Sequence, residues 1–147
     1  MPLPDSTPYL IPDLLAPELR LVFCGTALGN ASHRQRAYYA HPQNKFWRAL
    51  STVGLTPRLF APAEYPALLP LGLGLTDLNK TQYGMDQQLD RAAADPDGLR
   101  QKLLHYRPRH LAFTSKNAAS YFYRIPTDKL AYGLQAEPFA ATRLWVL

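Results

Sequence analysis

Apolar residues in this chain gather in short runs of strand length, separated by stretches where they recur at helical spacing. "LRLVFCG" (19–25) reads as a buried strand closed by a glycine that leads into a turn. "NKFWRALSTVG" (44–54) places Phe46, Trp47, Leu50 and Val53 at helical spacing, with Gly54 as the stop. "YPALLPLGLGLTDLNK" (65–80) predicts a helical turn and then a strand from Leu73 to Leu78. "DPDGLRQKLLHYRP" (95–108) predicts a helix capped at Asp95 or Asp97 and ended before Pro108. "RHLAFTS" (109–115) is a further strand, and "KNAASYFYRI" (116–125) a helix that Asn117 would cap. "TRLWVL" (142–147) is the last strand.

Strands alternating with helices predict an α/β fold of three α/β/α layers, with a central, mostly parallel sheet of about four to five strands. No repeat, low-complexity tract or linker interrupts the pattern, so residues 1–147 are expected to form one domain, with 1–18 as a proline-rich N-terminal arm. In such sheets ligands sit beyond the carboxyl ends of the strands. The polar strand ends "GTALGN", "TDLNK" and "TSKN" should therefore converge on one crevice.

Composition narrows the class. The chain has 47% hydrophobic and 18% charged residues, as a soluble globular protein does. Its fourteen prolines gather in the arm and around residues 57–70, segments expected to wrap the domain. The net charge of +5 fits either a polyanion partner or a basic surface that favours solubility. The single cysteine, Cys24, excludes an internal disulfide and reads as a buried structural thiol. No signal pattern and no run near the ~20 apolar residues of a membrane span is present, so a cytoplasmic protein without membrane contacts is expected.

The candidate chemistry concentrates in residues 25–50. Gly25 and Gly29 permit a tight turn and close backbone approach, yet neither a P-loop nor a G-x-G-x-x-G fingerprint follows. Arg34, Arg36 and Lys45 interleave with Tyr38, Tyr39, Phe46 and Trp47. Basic side chains can hold phosphates while an aromatic face stacks on a base. Phe46 and Trp47 read as core, whereas Tyr38 and Tyr39 precede the helix, where core packing explains less. His41, before a proline, reads as an oriented structural histidine. Asp77, followed by Asn79 and Lys80, stands at a strand end, where an acid either caps the next helix or orients water. Lys116 meets a phosphate or faces solvent. Nothing has metal-ligand spacing.

"VFCGTALGNASHRQRAYYAHPQNKFWRAL" resembles the first motif region of the uracil-DNA glycosylase superfamily, in its mismatch-specific uracil/thymine branch. "YYAHPQNKFW" is also similar to the matching segment of hypoxanthine-DNA glycosylases. "GLGLTDLNKT", "HYRPRHLAFTSKNAASYF" and "TRLWVL" follow in the family's order, so the likeness covers most of 19–147. It implies an enzyme that flips a uracil or another deaminated or mispaired base out of DNA and hydrolyses its N-glycosidic bond without metal or cofactor. The implied partner is DNA, double-stranded with a mismatch or single-stranded, and a monomer is expected.

Carried over by position, Tyr39 corresponds to the aromatic that stacks on the flipped base, and Thr26 to a residue whose backbone lines the pocket. Gly25, Ala27, His41 and Asn79 fall beside that pocket. Asn44 matches an asparagine present throughout this branch, functionally important in the hypoxanthine-like members and elsewhere a brace of the loop, and is counted here among the catalytic candidates. Arg34, Arg36, Lys45, Lys80 and Lys116 are the candidates for phosphate. Two departures stand out. The catalytic asparagine of the family's G-x-N-P-G pattern is Ala27 here, which leaves Asp77 as the expected water-activating group and Asn30 as a substitute only if the loop refolds. Relatives also follow the last strand with a duplex-wedging loop, whereas the sequence in hand stops at Leu147. Either it is truncated or the wedge is lost, and in the second case duplex binding would be weak. A non-catalytic nucleic-acid-binding module is therefore the alternative, and a nucleotide-binding enzyme using "GTALG" a third.

Overall fold

The computed structural model describes residues 3–147, so the first two residues of the arm lie outside it. The apolar runs become the strands β1 (Leu21–Gly25), β2 (Leu73–Asp77) and β3 (His110–Phe113), with β4 (Gly133–Leu134) and β5 (Arg143–Val146) completing a five-stranded sheet. The order is β2-β1-β3-β5-β4, parallel throughout except for the two-residue edge strand β4. The helices are α1 (Asn30–Gln35), α2 (Phe46–Thr52), α3 (Pro96–Tyr106) and α4 (Lys116–Tyr123). A 3-10 segment, Pro62–Leu71, feeds β2.

The period-two alternation of each strand divides the core into two layers. Val22, Cys24, Leu111, Phe113, Leu144 and Val146 pack with Leu99 and Leu103 of α3 and Phe122 of α4. On the other face Phe23, Leu73, Leu75 and Ala112 pack with Trp47 and Leu50 of α2 and with Leu68. The result is the three-layer α/β/α architecture, with Cys24 fully buried.

Termini of the helices follow local chemistry. Asp95 caps α3 by accepting the Gly98 N–H at 2.9 Å. For α4 the cap is Ser115, which accepts the Ala118 N–H at 3.0 Å, whereas Asn117 instead donates to Asp86 Oδ2 at 2.8 Å. The helix 46–52 stops before Val53, which is 69% exposed and contributes nothing to the core.

The arm does more than wrap the surface. Leu14 and Leu75 exchange backbone hydrogen bonds of 2.9 Å each way, an isolated antiparallel bridge on the free edge of β2. Ile11 is buried in the same layer as Leu73 and Leu75. The chain leaves β1 for β2 along the α2 face and returns across β1 to β3 along the α3 face. This change of direction opens a crevice at the carboxyl end of β1.

Candidate active site

The three strand ends meet. Gly25 is paired in register with Asp77, and a Cβ placed on Gly25 would lie 2.7 Å from Asp77 Oδ1, 3.2 Å from Tyr39 Oη and 3.5 Å from Thr114 Oγ1. The alternation explains the convergence. Residues 21, 23 and 25 of β1 and residues 73, 75 and 77 of β2 face the same layer, the one that holds Tyr39. A cleft of about 570 Å³ opens from this point, bounded by the turn 28–32, Arg34, Tyr38–Tyr39, His41, Asn44, Asp77 and the Gly84–Met85 segment.

Tyr39 occupies the left-handed region (φ 53°), as does Arg36 (φ 50°). Such a backbone costs roughly 1–2 kcal/mol for a non-glycine residue, so it persists only where its surroundings impose it. Here they do. Tyr38 is 1% exposed and donates its hydroxyl to Pro12 O at 2.9 Å, Trp47 Nε1 donates to Tyr38 O at 3.1 Å, and Ala40 N–H donates to Ser32 Oγ at 3.0 Å. Adjacent tyrosines thus point apart, Tyr38 into the core and Tyr39 into the cleft. The Tyr39 ring stacks on Phe46 with centroids 3.9 Å apart and planes at 19°, and its hydroxyl reaches Thr114 Oγ1 at 3.4 Å. Phe46, expected as plain core, is half-buried and backs the Tyr39 ring.

Asp77 is buried, and burial pushes its carboxyl up to about 7, against the pull of Lys80 and of the Gly25 backbone N–H. A carboxyl poised there exchanges its proton near neutral pH, as a general base requires. Burial likewise holds the Tyr38, Tyr39 and Cys24 protons on, so none of these supplies an anion.

The remaining candidates divide. Asn30 and Asn44 are exposed and line the cleft, and Asn44 Oδ1 accepts the Phe46 N–H at 2.9 Å at the start of α2. His41 also lines it, with Nδ1 accepting the Gln43 N–H at 3.1 Å, a turn-bracing role. Thr26 is buried, and its carbonyl accepts the Asn79 N–H at 2.8 Å. Ala27 is half-buried and does not line the cleft. Arg34 stands on the cleft wall, and Arg36 and Lys45 are exposed beside it.

Three assignments need correction. Asn79 does not face the cleft: its Oδ1 accepts the Thr81 and Gln82 N–H groups and its Nδ2 donates to Gln82 Oε1, so it braces the loop after β2. Lys80 is no phosphate contact, because its side chain is 4% exposed and its ammonium is held by Asp13 at 3.0 Å and Tyr38 Oη at 2.8 Å. Lys116 lies away from the cleft, over the Tyr132 ring at 4.2 Å. Sequence reasoning missed Ser32, whose hydroxyl ties Ala40 to α1, and the stack of His33 on Tyr83 at 3.7 Å, which ties α1 to the segment before Gly84. Neither residue carries a local signal, since serine and histidine are equally at home on a solvated helix.

A family model described as the Uracil DNA glycosylase superfamily matches residues 12–147, nearly the whole chain.

Proposed function

The chain belongs to the uracil DNA glycosylase superfamily, and from that premise we propose that it removes a uracil or related deaminated base from DNA, in the manner of the mismatch-specific branch. Membership supports a DNA-glycosylase activity in general, and the observation that carries the finer reading is the buried Asp77 carboxyl beside the Tyr39 ring at the head of an open cleft. The cleft is of a size that takes a single base. Flipping costs a few kcal/mol and is cheapest at a mismatch, which selects damaged sites before any edge is read. Tyr39, braced by Phe46, offers the stacking face, and Arg34 on the rim offers a charge to the flanking phosphate.

In the reaction, water adds through oxygen to C1′ of the sugar as the C1′–N bond breaks, and the bonding pair leaves with the base. Asp77 accepts the proton that the water loses, and its negative charge offsets the positive charge that develops on the sugar. The departing base anion then takes up a proton. Asn44 and Asn30 line the cleft as further polar groups for the base or the water.

The test is incubation with a duplex containing a U·G pair, followed by alkali to reveal abasic sites, with hypoxanthine, ethenocytosine and T·G substrates alongside. Strand breaks at the uracil are expected, and full activity in Asp77→Asn would remove the proposed base from the mechanism. One observation favours a second reading, a DNA-binding module without catalysis: Ala27 stands where the family pattern has its asparagine. That reading predicts salt-sensitive DNA binding with no base released from any of the four substrates.

A further inference from the structure

Next to Asp77, around a second cavity that it also lines, lies a buried cluster that the proposed reaction does not use. Asp13, on the N-terminal arm, accepts Lys80 Nζ at 3.0 Å and the Thr76 hydroxyl at 2.7 Å on Oδ1, and Lys102 Nζ of α3 at 2.6 Å on Oδ2. The three charged side chains are 13%, 4% and 8% exposed. Lys102 also sits over the Tyr9 ring at 4.6 Å. Asp77 lines both the cleft and this second cavity of about 310 Å³, and the two lysines line that second cavity with it.

We propose that Asp13 is a positioning residue for Asp77: by claiming both buried lysines, the arm determines how much positive charge stands beside the carboxylate at the end of β2. The count is simple. Two lysines against one aspartate leave a single positive charge in excess, which Asp77 balances when it ionises. Burial works against the charges of Asp13 and Lys102, and their mutual attraction more than offsets it, so Asp13 stays ionised and Lys102 stays protonated. The other groups around Asp77 do not upset this count. Cys24 from β1, with Tyr38 and Tyr39 from the loop before α2, are neutral. Of the acids bordering the second cavity, Asp95 is exposed and engaged in capping α3, and Asp5 is exposed and bonded to Thr7. Tyr9 contributes its ring face to the lysines.

The catalytic meaning of the cluster rests on the reading of Asp77 as the water-activating base, whereas the charge count does not. A pH titration of the full chain labelled with ¹³C-carboxyl aspartate, with the Asp77 signal identified by its loss in Asp77→Asn, separates the two. Asp13→Asn leaves two unopposed lysines and lowers the Asp77 midpoint by about one pH unit or more, Lys102→Met raises it by a similar amount, and the double variant, which removes one charge of each sign, returns it close to the starting value. Should Asp13→Asn fail to fold, Lys102→Met against the double variant isolates the same contribution, and the double variant must then titrate lower. An Asp77 midpoint that ignores Asp13 in either background overturns the proposal. A chain that follows this order yet releases no base keeps the proposal and loses the function assigned above. One that releases base without following it does the reverse.

Discussion

Gly25 and Asp77 face each other at the ends of β1 and β2, so close that a methyl group on Gly25 would stand 2.7 Å from Asp77 Oδ1. The glycine is required by that approach and not by its backbone conformation, since three side chains close over the same point. Gly25→Ala must displace Asp77, Tyr39 or Thr114. It is expected to destabilise the chain by about 1–3 kcal/mol in denaturant titration, as overpacking does, and to lower base release at least ~10-fold.

Asp77 makes stability depend on pH in an unusual direction for a carboxylate. Its folded value of about 7 lies above the ordinary one, so the folded chain binds this proton more tightly than the unfolded chain. The stability it contributes is complete below about pH 4 and is lost as pH rises through about 7. Asp77→Asn, which cannot ionise, is expected to match the parent near pH 4 and to exceed it by on the order of 4 kcal/mol at pH 8.5. Thermal melts across that range provide the measurement. A variant less stable than the parent at pH 8.5 would contradict it.

Tyr39 holds its place through its ring more than through its hydroxyl, which makes one long contact with Thr114. Tyr39→Phe should therefore change DNA binding by under about 1 kcal/mol. Tyr39→Leu removes the stacking face and should weaken binding to a duplex bearing a non-cleavable uracil nucleotide by roughly 1–3 kcal/mol. Equal losses in the two variants would mean that the hydroxyl, not the stack, reads the base.

Arg34 and Lys80 carry the same charge to opposite ends. For Arg34→Gln the expectation is unchanged melting and a slope of log K against log salt shallower by about one unit, the signature of one lost phosphate contact. Lys80→Gln leaves the Asp13–Lys102 pair in place but removes a buried cation from Asp13 and the donor to Tyr38 Oη, and about 1–3 kcal/mol of stability should be lost. Fluorescence anisotropy over a salt series and urea denaturation distinguish the two effects.

What can be read without coordinates here is what local chemistry enforces. The strands 21–25, 73–77, 110–113 and 143–146 stand out because each apolar run is short, the first three of them also bounded by glycine, proline or a cap. Helix α3 announces itself through Asp95 and Pro96. That Gly25 and Asp77 share one face follows instead from the parallel register of β1 and β2, which the chain pattern does not carry. Helix α1 is different: "NASHRQ" is polar, has no side-chain cap, and holds its shape through the burial of Ala31 and Ser32 and the stack of His33 on Tyr83. The edge strand β4, two residues long, exists only because β5 offers it an edge. Lysine at position 80 has the same propensities whether it faces water or Asp13, and the choice depends on an arm remote in sequence that folds back onto β2. The same folding back buries Asp77 beside two lysines. Its position at a strand end follows from the pattern of the chain, whereas its poise near neutral pH follows from solvent exclusion and neighbouring charge, which exist only once distant segments have packed.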